Sequence, residues 1–165
     1  MSTAGPSDLN QLAADAVAAL AEAGLTVATA EATTGGLIGY LLTEIPGSSA
    51  VFRAGIAPYS NAAKRAIGVP DGVLISHGAV SREAAEAMAV AVRAWAGADI
   101  ALAETGIAGP AGGGPDRPVG LFWIAVATAT GVTSERFLFD GDRSANRKSC
   151  AAAALRMLIE RAHWP

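Results

Sequence analysis

The stretch Leu25–Gly36, LTVATAEATTGG, restricts the fold more than any other part of the chain. Leu25 to Ala30 is apolar and carries β-branched side chains, which reads as a buried strand. Glu31-Ala32-Thr33-Thr34-Gly35-Gly36 is then a polar, glycine-bearing turn, and an apolar helix opens at Leu37 and runs to about Thr43. Strand, hydroxyl-rich turn and helix N-terminus in succession present backbone N–H groups to an anion. Threonine and glycine suit a plain strand-to-helix turn equally well, so both readings of Thr33, Thr34, Gly35 and Gly36 stand.

The alternation continues along the chain. Ser7 or Asp8 can cap an opening helix with Leu9, Leu12, Ala16 and Leu20 at helical spacing, and Gly24 ends it. Val51 to Ala57 reads as a second strand, in which Gly55 marks a bulge or a close backbone approach. Ser60 caps a short helix carrying Lys64 and Arg65, and Pro70 to Gly78 is a connector that can hold one short turn of helix. Ser81 caps a helix to Trp95, with Ala85, Met88, Ala89 and Val92 as its inner stripe and Gly97 as its stop. Asp99 to Glu104 is the next strand. Pro118–Thr128 and Val132–Phe139 form a hairpin about Thr130-Gly131, and Ser144 caps a last helix ending near His163. This order predicts one domain over residues 1–165, a three-layer α/β/α sandwich with a mixed β-sheet.

Composition removes several functions. A hydrophobic fraction of 52% with 16% charged residues belongs to a globular chain. A net charge of −3 argues against nucleic acid held on a basic surface. Charges or glycines interrupt every apolar run before it can span a bilayer, and MSTAGPSDLNQ lacks the regions of a signal peptide. Cys150 is the only cysteine, so a reduced, cytoplasmic setting is the simplest account. Cys150, His77 and His163 are scattered without metal-ligand spacing.

Three segments carry reactive groups. Gly47 to Lys64 holds Ser48 and Ser49, then a strand, then Tyr59, Ser60 and Lys64. A serine attacks once a base takes its proton, and a lysine can be that base if its pKa falls from about 10.4 toward neutrality. Burial, with Arg65 or Arg53 nearby, is the candidate cause. Against this, Ser48 and Ser49 can simply cap a turn and Lys64 can be solvated; Ser60, four residues before Lys64, is a rival partner that also suits capping. The run Thr105-Gly106-Ile107-Ala108-Gly109-Pro110-Ala111-Gly112-Gly113-Gly114 matches neither phosphate-loop nor dinucleotide fingerprints. It reads either as backbone N–H groups set close to a phosphate or ribose, or as a flexible loop. Arg143, at a strand end, can clamp a phosphate or carboxylate, or lie on the surface.

Taken in series, AEATTGG, PGSSAVF, YSNAAK, GVP, HGAVS, TGIAGPAGGG, PVG and GDR make the chain similar to the family of CinA C-terminal domains, which also occur alone as nicotinamide mononucleotide deamidases. The resemblance covers nearly the whole chain. It implies hydrolysis of nicotinamide mononucleotide to nicotinic acid mononucleotide and ammonia, without metal or cofactor, by a serine–lysine pair in a protein that forms homo-oligomers. On this basis Ser49 would be the nucleophile, Lys64 the base and Tyr59 their neighbour. Ser48, Thr33, Thr34, Gly35 and Gly36 would adjoin the substrate, with backbone N–H groups of that turn stabilising the oxyanion. Thr105, Gly106 and Gly109 would line the nucleotide pocket, and Arg143 would reach an anionic group.

The chain departs from the family pattern in three places. Ala32-Thr33 replaces the usual Ser-Cys, Glu104 stands where an apolar residue is usual, and Pro58 precedes Tyr59. These changes keep two alternatives open: a nucleotide-binding module with impaired catalysis, and an amidohydrolase acting on another amide.

Overall fold

A computed structural model describes residues 6–163, with side chains described from residue 9 onward. Helix α1 (Pro6–Ala23) buries Leu9, Ala13, Ala16 and Leu20 and stops at Gly24, whose φ of +67° suits glycine. The capping role expected of Ser7 or Asp8 concerns side chains outside those described. Strand β1 (Val27–Glu31) is buried along its whole length and leads into α2 (Leu37–Thr43). A 3₁₀ turn at Ser48–Ala50 precedes β2 (Phe52–Ile56), which is followed by α3 (Asn61–Ala66), α4 (Asp71–His77) and α5 (Arg82–Ala96). Strand β3 (Ile100–Gly106), the hairpin of β4 (Leu121–Ala127) and β5 (Val132–Leu138), and α6 (Arg143–His163) complete the chain.

The five strands form one sheet in the order β2-β1-β3-β4-β5. β1 runs parallel to β2 and β3, whereas β3–β4 and β4–β5 are antiparallel. Helices α1, α2 and α6 cover one face around Leu20, Ile38, Leu102, Phe122 and Leu155; α4 and α5 cover the other, around Met88 and Val92. This is the expected three-layer α/β/α sandwich with a mixed sheet. In α6 the consecutive residues Ala151, Ala152, Ala153 and Ala154 are all buried, so no side of the helix faces water there. α1 packs along it, and small side chains let the two backbones approach closely.

Local signals held where the responsible side chain was read correctly. Ser60 Oγ accepts from Ala63 N at 3.1 Å, Ser81 Oγ accepts from Ala84 N at 3.1 Å, and Gly97 ends α5 at φ +61°. Of the two readings of Gly55, the structure gives the close approach, since a Cβ there would lie 2.8 Å from Thr29 Oγ1; the β1–β2 irregularity falls instead at Arg53, where the register shifts between Val27 and Ala28.

Several boundaries differ from expectation, the following four among them. Glu31 ends β1 rather than opening the turn, because its carboxylate is drawn into the protein by donors from α2. The helical turn expected within 70–78 extends over Asp71–His77 as α4. β3 continues to Gly106, paired with Phe122. Asp142, not Ser144, caps α6, accepting from Ala145 N at 2.8 Å; Arg143 is thus a helix residue instead of a strand end. No described helix is long and apolar enough to cross a membrane.

Phe122 is fully buried and lies against the ring of Phe139, with centroids 5.6 Å apart. Phe122→Ala is expected to cost about 3–5 kcal/mol of stability, read from the shift of a urea midpoint, because both burial and packing are lost.

Candidate active site

From β1 the chain crosses to β2 on one side, then returns past β1 to β3 on the other. At such a reversal the flanking helices diverge to opposite faces and leave a crevice at the C-terminal strand ends. A cavity of about 260 Å³ lies there. β1 leads Ala32 and Thr33 into its wall, β3 supplies Thr105 and Gly106, the segment after β2 supplies Tyr59 and Lys64, and α6 supplies Arg143. The structure therefore brings together Thr33, Tyr59, Lys64, Thr105, Gly106, Gly109 and Arg143 from the residues singled out in the sequence.

Lys64 is only 3% exposed, although it sits on a short helix. Its Nζ donates to the carbonyls of Pro58 at 2.9 Å and Tyr59 at 3.3 Å, which holds the side chain back along its own segment. Burial lowers its pKa from the ordinary 10.5, and the charge of Glu104 opposes that shift. The lowering comes from burial and not from a neighbouring arginine; Arg65 is paired with Asp71 at 2.6 Å.

Arg143 ties two walls together. Its Nη1 donates to Gly109 O at 2.9 Å and its Nη2 lies 3.4 Å from the hydroxyl of Tyr59, a residue 68% exposed. A second, more apolar cavity of about 540 Å³, bordered by Pro110, Val119 and Ser144, lies on the other side of the same arginine. The glycine loop between them is pinned: Ile107 N donates to Leu121 O, Gly120 N to Ile107 O, and Asn146 Nδ2 to Ala108 O. At Gly109, φ is +89° and a Cβ would stand 2.5 Å from Val119 Cγ1, so only glycine fits.

Beneath the Thr33–Gly36 turn lie two buried carboxylates. Glu31 accepts from Gly36 N at 3.1 Å, Ile38 N at 2.8 Å and Gly39 N at 2.7 Å, capping α2 from the end of β1. Glu104 Oε1 accepts from Thr33 N and Thr34 N, each at 2.7 Å, and from Thr34 Oγ1 at 2.9 Å. Thus the backbone donors of Thr33, Thr34 and Gly36 point into protein carboxylates, which corrects their expected use as oxyanion donors. Burial pushes the Glu104 carboxyl up from 4.5 to about 7, against the pull of the Thr34 and Thr33 donors.

Ser48 and Ser49 are placed elsewhere. They form the 3₁₀ turn at the start of β2, Ser48 buried and Ser49 exposed, and neither lines the cavity. Lys64 follows the other end of that strand, whose five residues span about 16 Å. The strand separates serine from lysine within one chain, where convergence was expected. Ala32, by contrast, does share the cavity wall with Lys64.

Three contributors escaped the sequence reading. Arg147 donates from Nε to Thr33 O at 3.2 Å and from Nη2 to Thr34 O at 2.6 Å, clamping the turn from above. Asn146 anchors the glycine loop. Their signal was available: Arg147 is four residues after Arg143 and so shares its helix face. Ala79 completes the third contact, accepting from Thr105 Oγ1 at 2.7 Å.

The buried Glu104 predicts a pH dependence of stability. The folded chain holds its proton up to about pH 7, whereas an unfolded glutamate releases it near the ordinary 4.5. Between those values the folded state binds more protons, so stability falls as pH rises. The difference corresponds to about 3 kcal/mol. Urea midpoints measured from pH 4 to 8 are expected to show this decline in the native protein and to lose it in Glu104→Gln.

Comparison with known proteins places this architecture in a family. Residues 9–162 match a family model described as the CinA C-terminal domain. A "CinA-like protein" from Geobacter metallireducens is 50% identical over 141 residues, covering 85% of this chain but 34% of that protein. The chain thus spans about a third of the length of the CinA-like relatives it matches. "Nicotinamide-nucleotide amidohydrolase PncC" from Pseudomonas putida is 49% identical over 135 residues, covering 81% of this chain and 84% of that one. The crystal structure of competence/damage inducible protein CihA from Agrobacterium tumefaciens superposes with a TM-score of 0.91 at 42% identity, over 97% of this chain and 98% of that chain. A CinA superfamily protein from Escherichia coli also gives 0.91, at 27% identity. With sequence match, fold and strand-end cavity in agreement, the chain belongs to the CinA C-terminal domain family.

Proposed function

We propose that this chain is an amidohydrolase that acts on the carboxamide of a pyridine mononucleotide, releasing ammonia and leaving nicotinic acid mononucleotide. The observation that carries the reading is a buried lysine of lowered pKa in a crevice that also holds an arginine and a glycine loop. The relative named as a nicotinamide-nucleotide amidohydrolase supports the substrate class.

Amide hydrolysis needs a base for the nucleophile and an acid for the departing nitrogen. Neutral Lys64 takes the nucleophile's proton and returns it to the nitrogen as the C–N bond breaks; water then hydrolyses the acyl intermediate. Arg143 meets the phosphate or the product carboxylate with a charge-assisted bond. Gly106 N and Ile107 N are committed to Thr33 Oγ1 and Leu121 O, which leaves the Gly109–Gly112 part of the loop to face the ligand.

Ser49 acts as nucleophile in this scheme only when it comes from a second copy. β2 is one of the two edge strands, and antiparallel pairing of two copies along that edge would set the start of one β2 beside the end of the other. Ser49 of one copy then approaches Lys64 of the next, which makes the active form a homo-oligomer. Ser49→Ala and Lys64→Ala proteins, each expected to be inactive, should regain ammonia release when mixed and allowed to exchange subunits. No recovery on mixing removes Ser49 from the mechanism.

A specific observation favours a second reading, binding without turnover: Ala32 lines the cavity that Lys64 also lines, at the position where the family pattern the sequence resembles has serine. Ammonia release from nicotinamide mononucleotide by the native chain decides between the two. Tight binding with no release, and release gained in Ala32→Ser, would establish the second. On either reading Arg143→Ala is expected to weaken nicotinic acid mononucleotide binding about ten- to a hundredfold, measured by calorimetry.

A further inference from the structure

We propose that Glu104 is a positioning residue of the cavity: its carboxylate fixes the Thr33 wall and supplies the counter-charge against which Lys64 is set. This deepens the amidohydrolase reading and rests on it for its catalytic consequence.

A carboxylate is costly at this core position of β3. Glu104 projects from the same face of β3 as Ile100 and Leu102, both core residues, and is fully buried. The neighbouring strand already provides the helix cap, since Glu31 takes the N–H groups of α2. Glu104 uses only Oε1; its Oε2 is buried with no hydrogen-bond partner among the described residues. A buried oxygen left unpaired is costly, and such local violations gather at functional sites.

What Glu104 holds is the ligand-facing wall. Its Oε1 takes Thr33 N and Thr34 N, while Arg147 takes the carbonyls of the same two residues from above. Between these clamps Thr33 Oγ1 donates to Gly106 O at 3.1 Å and accepts from Gly106 N at 2.8 Å. The turn after β1 is thereby locked to the end of β3 across the crevice.

The groups around Glu104 make its charge consequential. Glu31 faces it from β1, Cys150 from α6 and Lys64 from α3; Arg147 stands beyond the turn, and its β4 neighbour Ile124 is uncharged. Thr34 Oγ1 lies 2.8 Å from Glu31 Oε2 and 2.9 Å from Glu104 Oε1, yet a hydroxyl has one proton to donate. The two carboxylates therefore compete for it, and the one with fewer other donors is the one that yields. That is Glu104, whose carboxyl titrates at about 7. Protonation there weakens the hold on Thr33 and removes the charge that raises the Lys64 pKa.

The test uses the full chain. Backbone amide resonances of Thr33 and Thr34 are followed by NMR from pH 5 to 9 in the native protein and in Glu104→Gln. In parallel, kcat and KM for ammonia release from nicotinamide mononucleotide are measured over the same range. Both amides should titrate together near 7 in the native protein, with KM rising about tenfold on the acid side as the wall loosens. In Glu104→Gln the amide titration and the KM change should vanish, and the limb of kcat that rises with pH as Lys64 loses its proton should move to lower pH. Absence of a shared titration in the native protein overturns the proposal without need of the variant. So does a Glu104→Gln protein whose kcat and KM profiles match the native ones. If the native chain releases no ammonia, the amidohydrolase reading fails by itself. The wall-fixing role is then read from the amides and from nicotinic acid mononucleotide affinity, whose pH dependence must disappear in Glu104→Gln.

Discussion

Glu31 and Glu104 are register partners on adjacent parallel strands, and both are buried beneath one turn. Side-by-side carboxylates oppose each other, and both are closed off from the solvent surface. They persist because the Thr33–Gly39 backbone turns its N–H groups inward to meet them. The cavity wall, the start of α2 and the environment of Lys64 all follow from that one arrangement. It also explains why the turn is an unsuitable oxyanion hole despite its favourable sequence: a donor already directed at a protein carboxylate is not directed at a substrate.

Lys64 shows how opposing influences set a functional group. Burial pushes it toward the neutral form, and the charge of Glu104 opposes that shift. Here the nearest acid is itself only partly inclined to ionise at neutral pH, so neither influence is complete. A base poised in this way can take and return a proton within one reaction cycle.

The fold was largely legible because each of its signals is local. Ser60, Ser81 and Gly97 mark helix ends by interactions that reach no more than a few residues. The exceptions arose where two residues of similar capability competed, as Asp142 and Ser144 did for the cap of α6. The site was legible in part, since Thr33 and Tyr59 follow strand ends, Thr105 lies at the end of β3, Lys64 is carried by the short helix after β2 and Arg143 begins α6. Ser48 and Ser49 were grouped with Lys64 because they are near in sequence. A straight strand converts that nearness into distance, and nothing in the residues of β2 announces which end the ligand visits. Glu104 was visible as an oddity, but a charge at the end of an apolar run resembles a strand simply reaching solvent. Its burial depends on α6 closing over it, a long-range fact.

The four buried alanines of α6 bear on this site from a distance. A helix enclosed on all sides by small side chains has no direction in which to yield. Its first turn carries Asn146 and Arg147, and Arg143 begins it, so the loop and the turn that frame the cavity are fastened to a rod clamped along its body. Enlarging any of those alanines would shift the rod as a unit. Such a change would detune ligand recognition while sparing every residue that touches the ligand, and a lineage under selection for this site has to conserve empty space as strictly as it conserves chemistry.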